Sequence, residues 1–272
     1  MSPLGIVVII WGLACAVAWV ASLLTADTSW VDREWSILPF VYVWVFALAA
    51  DLASARLVLM AVLATLWGVR LTYNFARKGG YSGVEDYRWA VLRSSMSRWQ
   101  FQLFNLFFIV LYQNLLLVLI ALPAWTAYEH RSRQLGALDV LLAGAFLAAT
   151  LGETIADQQQ WDFHRWKQAE LSAGRSPEPP FCTTGLFSVS RHPNFFFEQA
   201  QWWLFFGFGA VAAGSLLQWT VLGAFLLTML FVGSTRFTEQ ISASKYPGYA
   251  DYQQRVSMTI PWFPKRQPAT AR

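Results

Sequence analysis

The sequence predicts an all-α integral membrane protein with about seven transmembrane helices. Three observations carry that reading. Of 272 residues, 56% are hydrophobic and only 13% charged, about half the charge of an ordinary soluble domain. Fifteen tryptophans suit side chains that settle at membrane–water boundaries. Apolar runs of helical length follow one another without a linker, so residues 1–272 read as a single polytopic domain.

In chain order the expected spans are Leu4–Ala26, Ser36–Ala50, Arg56–Ala76, Phe101–Leu122, Leu135–Ile155, Glu198–Ala213 and Leu216–Thr235. The first lacks a basic start and is too long for a secretory signal core, so it is a retained span. The second and sixth are short, which suits tilted or re-entrant segments. Little more than Gly214 and Ser215 separates the last two, which implies a tight helical hairpin.

Seven crossings sort the basic residues unevenly. Sixteen Lys and Arg fall on one face, including Arg266 and Arg272, and three (Arg56, Arg131, Arg133) on the other, with Arg70 inside a span. The positive-inside rule then places the C-terminus in the cytoplasm and the N-terminus outside. The polar segments 77–100, 156–199 and 236–272 share the cytoplasmic face. The pI near 9.2 follows from this topology and does not point to nucleic acid. Cys15 and Cys182 are far apart in kind of segment, and His130, His164 and His192 show no ligand spacing, so no disulfide and no metal is expected.

The polar groups that interrupt this apolar chain are the candidates for chemistry. The stretch FCTTGLFSVSRHPNFFFE, Phe181–Glu198, sets Arg191, His192, Asn194 and Glu198 at the mouth of a span. Arg70, Asn74 and Arg77 share one helix face, and an arginine in lipid costs about 2.5–3.5 kcal/mol, so it faces a partner, a cavity or a ligand. Asp32 and Glu34 are the carboxylates considered as its partners. Glu153, Asp157 and His164 share another face, followed by Arg165 and Lys167. This basin of cations suits a phosphate, a carboxylate or anionic headgroups. Asn105, Tyr112, Gln113 and Asn114 read mainly as glue between helices. Near the C-terminus Tyr246, Tyr249, Tyr252 and Arg255 recur at a spacing of three. They form either an amphipathic surface helix held by Trp262 and Phe263 or a lid of rings over a planar heterocycle. No Gly-rich phosphate loop is present, so any nucleotide needs a helical-bundle pocket.

The run TTGLFSVSRHPNFFFE resembles the TGLW-x-x-x-RHPNYFGE signature of bacterial membrane proteins related to the C-terminal domain of steroid 5α-reductases. Leu66–Leu71, Glu85–Trp89, Ile155–Gln159 and the terminal KYPGYADYQQR and IPWFP stretches are similar to the same family. The resemblance implies a seven-helix, steroid-5α-reductase-like bundle in the bacterial cell membrane. It would take hydride from NADPH to a carbon–carbon double bond conjugated to the ketone of a lipophilic small molecule. It places Asn194 and Glu198 near the nicotinamide, and Asp157 with Arg165 or Lys167 at the ribose or phosphates. Arg70 matches a polar position of the family's corresponding helix. Arg191, His192, Asn74, Tyr249, Tyr252 and Arg255 complete the expected cofactor set. The acid at the substrate oxygen is sought at Glu34, Asp32 or Tyr73.

The chain departs from the family pattern at three places. Val31–Trp35 lacks the Gln-Glu pair, Trp67 stands at the Tyr position of the third span, and Phe195 and Phe197 replace the Tyr and Gly of the signature. A ring at 197 is expected to narrow the cofactor pocket. The isoprenylcysteine carboxyl methyltransferases also carry an Arg-His-Pro turn. Their resemblance implies S-adenosylmethionine as the alternative cofactor, with Glu239 and Tyr249 in its site. A third reading is non-catalytic, with the basin holding lipid headgroups.

Overall fold

The computed structural model describes residues 1–265; Arg266 and Arg272 of the charge count lie outside them. Helix dominates, and no strand occurs among the described residues. Helix α1 (Pro3–Thr25) starts on a cap in which Gly5 donates to the Ser2 hydroxyl, with Pro3 in the first turn. It ends at Ala26 in the left-handed conformation. A short α2 (Trp30–Trp35) leads to α3 (Leu38–Ala49), α4 (Ala55–Arg77) and α5 (Tyr87–Ser95).

Helix α6 (Arg98–Phe104) opens on a capping box in which Ser97 and Gln100 satisfy each other's backbone. It runs through a π-helical stretch, Asn105–Tyr112, into α7 (Gln113–Ala121) and α8 (Pro123–Glu129). Phe104, Phe108 and Tyr112 stack along the wide turns, with centroids 4.9 and 5.4 Å apart. Helix α9 (Ala137–Ser172), α10 (Pro193–Ala213), α11 (Val221–Lys245) and α12 (Tyr249–Arg255) complete the order.

Five helices among the described residues are long and apolar enough to cross a membrane: Pro3–Thr25, Ala55–Arg77, Arg98–Glu129, Ala137–Ser172 and Val221–Lys245. The chain is therefore a multi-pass, all-helical membrane protein, but the expected seven spans become five. The expected second span yields only α3, whose 12 residues reach about 18 Å against a hydrocarbon core of about 30 Å. The expected sixth becomes α10, long enough at 21 residues but carrying Asn194, Glu198, Gln199 and Gln201. The sixteen-to-three charge sorting does not survive this correction.

The chain forms two compact units: one of Met1–Phe146 with Trp202–Leu227, the other of Leu147–Gln201 with Thr228–Arg272. In the first, Arg56 is buried and donates to both oxygens of buried Asp139 at 2.7 and 2.8 Å. Its remaining donors reach the carbonyls of Arg133 and Gln134. A buried guanidinium is tolerated in this way because every charge has a partner. Gly223 lets α11 lie on the Leu119 backbone, where a Cβ would meet the carbonyl oxygen at 2.5 Å or less.

Candidate functional site

In the second unit the Arg-His-Pro turn is locked from several sides. Arg191 and Glu239 are 8% and 7% exposed. Arg191 Nε and Nη2 donate to the two Glu239 oxygens at 2.6 and 2.9 Å, and Nη1 reaches the carbonyls of Gln253 and Val256. Glu239 also accepts from Gln253 Nε2 at 2.9 Å and pairs with His192 Nε2 at 3.0 Å. The backbone repeats the attachment: Arg191 and His192 donate to the carbonyls of Ser257 and Met258, Ser190 Oγ to that of Thr259, and Trp262 to that of Val189. The turn is thus held to the C-terminal segment.

That lock fixes the start of α10. Asn194 Nδ2 donates to Asp157 Oδ1 of α9 at 3.3 Å, and Asp157 and Glu198 are both buried. One turn along each helix, Gln201 Nε2 donates to Glu153 at 2.6 Å while its carbonyl oxygen accepts from Thr150 at 2.8 Å. Carboxylates and amides therefore line the α9–α10 contact as a buried polar strip. The ring of Phe197 lies over Gly152 of α9, where a Cβ would sit 2.5 Å from Phe197 Cζ. The bulk at 197 is taken up by an absent side chain at 152.

The other expected cofactor residues of this unit surround the strip differently. Arg165 and Arg255 are exposed. Lys167 Nζ donates to the Pro180 carbonyl at 2.5 Å and to Tyr246 Oη at 2.8 Å, so Lys167, ahead of Lys245, favours the phenolate and lowers the Tyr246 pKa once burial is offset. Tyr249 and Tyr252 are buried with Val256 against Phe181, and Tyr252 Oη donates to the Phe187 carbonyl. Gly185, at φ +61°, lets its turn sit on Gln159, whose Oε1 accepts from Leu186 N at 2.9 Å.

In the first unit Glu34 and Asp32 part company. The Glu85–Trp89 stretch clasps the α1–α2 connection: Glu85 Oε1 accepts from Thr28 N and Oγ1 at 2.9 and 2.7 Å and pairs with Arg93. Asp86 N donates to Ser29 Oγ, and Trp89 Nε1 to Asp32 at 3.3 Å. Burial, then the Asp86 charge, raises the Asp32 pKa. Glu34 accepts from Asn114 Nδ2 of α7 at 3.2 Å, and burial pushes its carboxyl up to about 7. Tyr73 is 66% exposed beneath the Arg77 guanidinium, and Arg77 Nε donates to buried Asn74 at 2.9 Å. Arg70 is half-buried on the same helix. Trp67 is fully buried, edge-on to Trp202 at 4.8 Å.

Sequence reasoning passed over Tyr42 here, while Asn114 was singled out and bridges helices as expected. Tyr42 and Asn114 have no exposed surface, and Tyr42 Oη and Asn114 Oδ1 find no hydrogen-bond partner among the described residues. Asn114 read as helix glue, and Tyr42 as one ring in an apolar run.

A family model described as "Protein of unknown function (DUF1295)" matches residues 18–256. An "Uncharacterized protein C594.04c" of the fission yeast Schizosaccharomyces pombe is 44% identical over 264 residues, covering 90% of this chain and 76% of that protein. This relative is eukaryotic, so the similarity does not single out a bacterial membrane. No solved structure matches the chain.

Proposed function

The chain belongs to the DUF1295 family, and from that premise we propose that it is an NADPH-dependent membrane reductase of the steroid 5α-reductase kind. Its substrate is a lipophilic molecule with a carbon–carbon double bond conjugated to a carbonyl. The observation that carries this reading is the buried strip at the start of α10, with Asn194 bonded to Asp157 and Glu198 one turn on. Carboxylates and an amide in a dry setting suit the hydroxyls of a ribose and the carboxamide of a nicotinamide. Exposed Arg165 and Arg255 suit the phosphates.

Arg191 and His192 spend their donors on Glu239 and the C-terminal segment, so they hold Asn194 and Glu198 in place. The Tyr249–Tyr252 cluster steadies the helix that carries Arg255. NADPH, when bound, supplies a hydride, so that enone, NADPH and one proton become the saturated ketone and NADP⁺. Glu34 of the first unit is suited to act as an acid, because a carboxyl near 7 still holds its proton in part at neutral pH. A cytosolic NADPH supply puts the Arg165 and Arg255 segments in the cytoplasm.

The test is thermal unfolding of the purified protein with NADPH or S-adenosylmethionine. NADPH should stabilise it, and Asn194→Ala should lose most of that shift. Stabilisation by S-adenosylmethionine alone would replace this reading with methyl transfer.

A further inference from the structure

Helix α4 starts at Ala55, and the next span, Arg98–Glu129, stops at Glu129. Consecutive spans run in opposite directions, so these two ends share one face of the membrane. Between the α3–α4 turn and the loop that follows α8 lies a cavity of about 430 Å³. Its walls are Ala50, Ala53, Ser54, Glu129, Arg131 and Ser132, all of the first unit. The volume falls in the range of small-molecule sites. The lining is polar, with one carboxylate, one guanidinium and two hydroxyls among the six side chains.

Ser54 stands at the N-cap position of α4 and is 8% exposed, yet its side chain makes no cap bond. The first-turn N–H groups of α4 have no acceptor within the helix, and they carry the positive end of its dipole. A serine at this position ordinarily turns its hydroxyl onto those donors; here it lines the cavity instead. Arg131 Nη1 donates to the Tyr128 carbonyl at 3.0 Å, and the guanidinium lies 4.6 Å over the Tyr128 ring. Both contacts aim the group without cancelling its charge. Further along the loop, buried Arg56 donates to the carbonyls of Arg133 and Gln134 at 3.0 and 2.9 Å. The loop that carries Arg131 and Ser132 is therefore held in place before any ligand arrives.

We infer that this cavity binds a phosphate joined by a short linker to a primary ammonium group, the chemistry of a phosphoethanolamine headgroup. The phosphate oxygens accept from Arg131, Ser54, Ser132 and the first turn of α4, and the ammonium donates to Glu129. The second charge sets the selectivity. Glu129 repels a headgroup that is only anionic, and a quaternary ammonium offers it no N–H donor. Span ends at the membrane surface bring lipid headgroups within reach, and soluble O-phosphoethanolamine carries the same groups. The site belongs to the first unit, whereas the dinucleotide reading rests on the second, so the two stand or fall separately.

The test is native mass spectrometry of the full chain in detergent, titrated with phosphatidylethanolamine, phosphatidylcholine and phosphatidylglycerol of identical acyl chains. Wild type should hold phosphatidylethanolamine roughly tenfold more tightly than either of the others, the value of one charge-assisted hydrogen bond. Glu129→Ala should remove that preference. Arg131→Ala should weaken phosphatidylethanolamine and phosphatidylglycerol alike, again roughly tenfold. Both side chains are exposed, so thermal unfolding without lipid should not change. Soluble O-phosphoethanolamine separates the sources. Saturable binding that Glu129→Ala abolishes extends the site to the soluble zwitterion, and no binding confines it to the lipid; either result supports the site. Equal retention of the three lipids by wild type would overturn the inference, whatever the variants do. A preference for phosphatidylethanolamine that survives Glu129→Ala would overturn it as well.

Discussion

Replacing Glu239 with Ala should loosen the second unit from its C-terminal edge inward. Glu239 receives two hydrogen bonds from Arg191, one from Gln253 and a contact from His192, and the ion pair is more than nine-tenths buried. Removing one member of a buried pair leaves the other charge unpaired, at about 3–5 kcal/mol. Arg191 keeps the carbonyls of Gln253 and Val256, so the lower end, about 3 kcal/mol, is expected. At roughly 2–4 °C per kcal/mol for a chain of this order of size, the melting temperature in detergent should fall by about 6–12 °C. The loss should be local first. Amide hydrogen exchange should speed up at Arg191, His192 and Trp262, whose N–H groups join the turn to the C-terminal segment. Glu239→Gln, which keeps the acceptor and drops the charge, should lie between. A melting temperature within about 2 °C of wild type, with unchanged exchange at those amides, would show that Arg191 does not depend on Glu239.

Further outcomes follow from particular contacts. Glu34, pushed up to about 7 from 4.5, binds its proton more tightly folded than unfolded, so its contribution is fully present below about pH 4.5. It is lost as pH rises through about 7, by at most ~3 kcal/mol and less after screening by solvent. Glu34→Gln should flatten the melting-temperature profile between pH 5 and 8, and a wild type already flat there would refute the shift. Gly152→Ala should destabilise by about 1–3 kcal/mol, since its Cβ would press into the Phe197 ring. Adding Phe197→Ala should recover most of that loss; a double variant as unstable as the two losses added would show that they do not touch.

The apolar composition made the membrane class and the long helices readable, because length and hydropathy are local properties. It misled at α3, where counting apolar residues over 36–50 could not see that α2 ends at Trp35 and that Asp51 and Leu52 turn the chain with positive φ. The polar stretch after Ile155 continues the same helix to Ser172, in keeping with the shared face read for Glu153, Asp157 and His164, since nothing before Gly174 breaks it. Within the candidate site, Arg191, Asn194, Asp157 and Glu198 stood out as polar groups in an apolar setting. The pairings did not, because Glu239 is 48 residues from Arg191 and Asn114 is 80 from Glu34. Only the fold makes such pairs neighbours. The spacing of Tyr246, Tyr249 and Tyr252 was visible, but Phe181, which the rings pack upon, belongs to another segment. Tyr42 gave no signal at all, since a phenol in an apolar run is indistinguishable there from a phenylalanine.

The most direct measurement is energy transfer from the protein's tryptophans to the nicotinamide of NADPH during a titration in nanodiscs. A saturable signal in wild type, weakened at least tenfold in both Asp157→Asn and Asn194→Ala while their folding is retained, is the expected result. Absence of any saturable transfer in folded wild type, or equal affinity in all three proteins, would contradict a dinucleotide held at the α9–α10 contact.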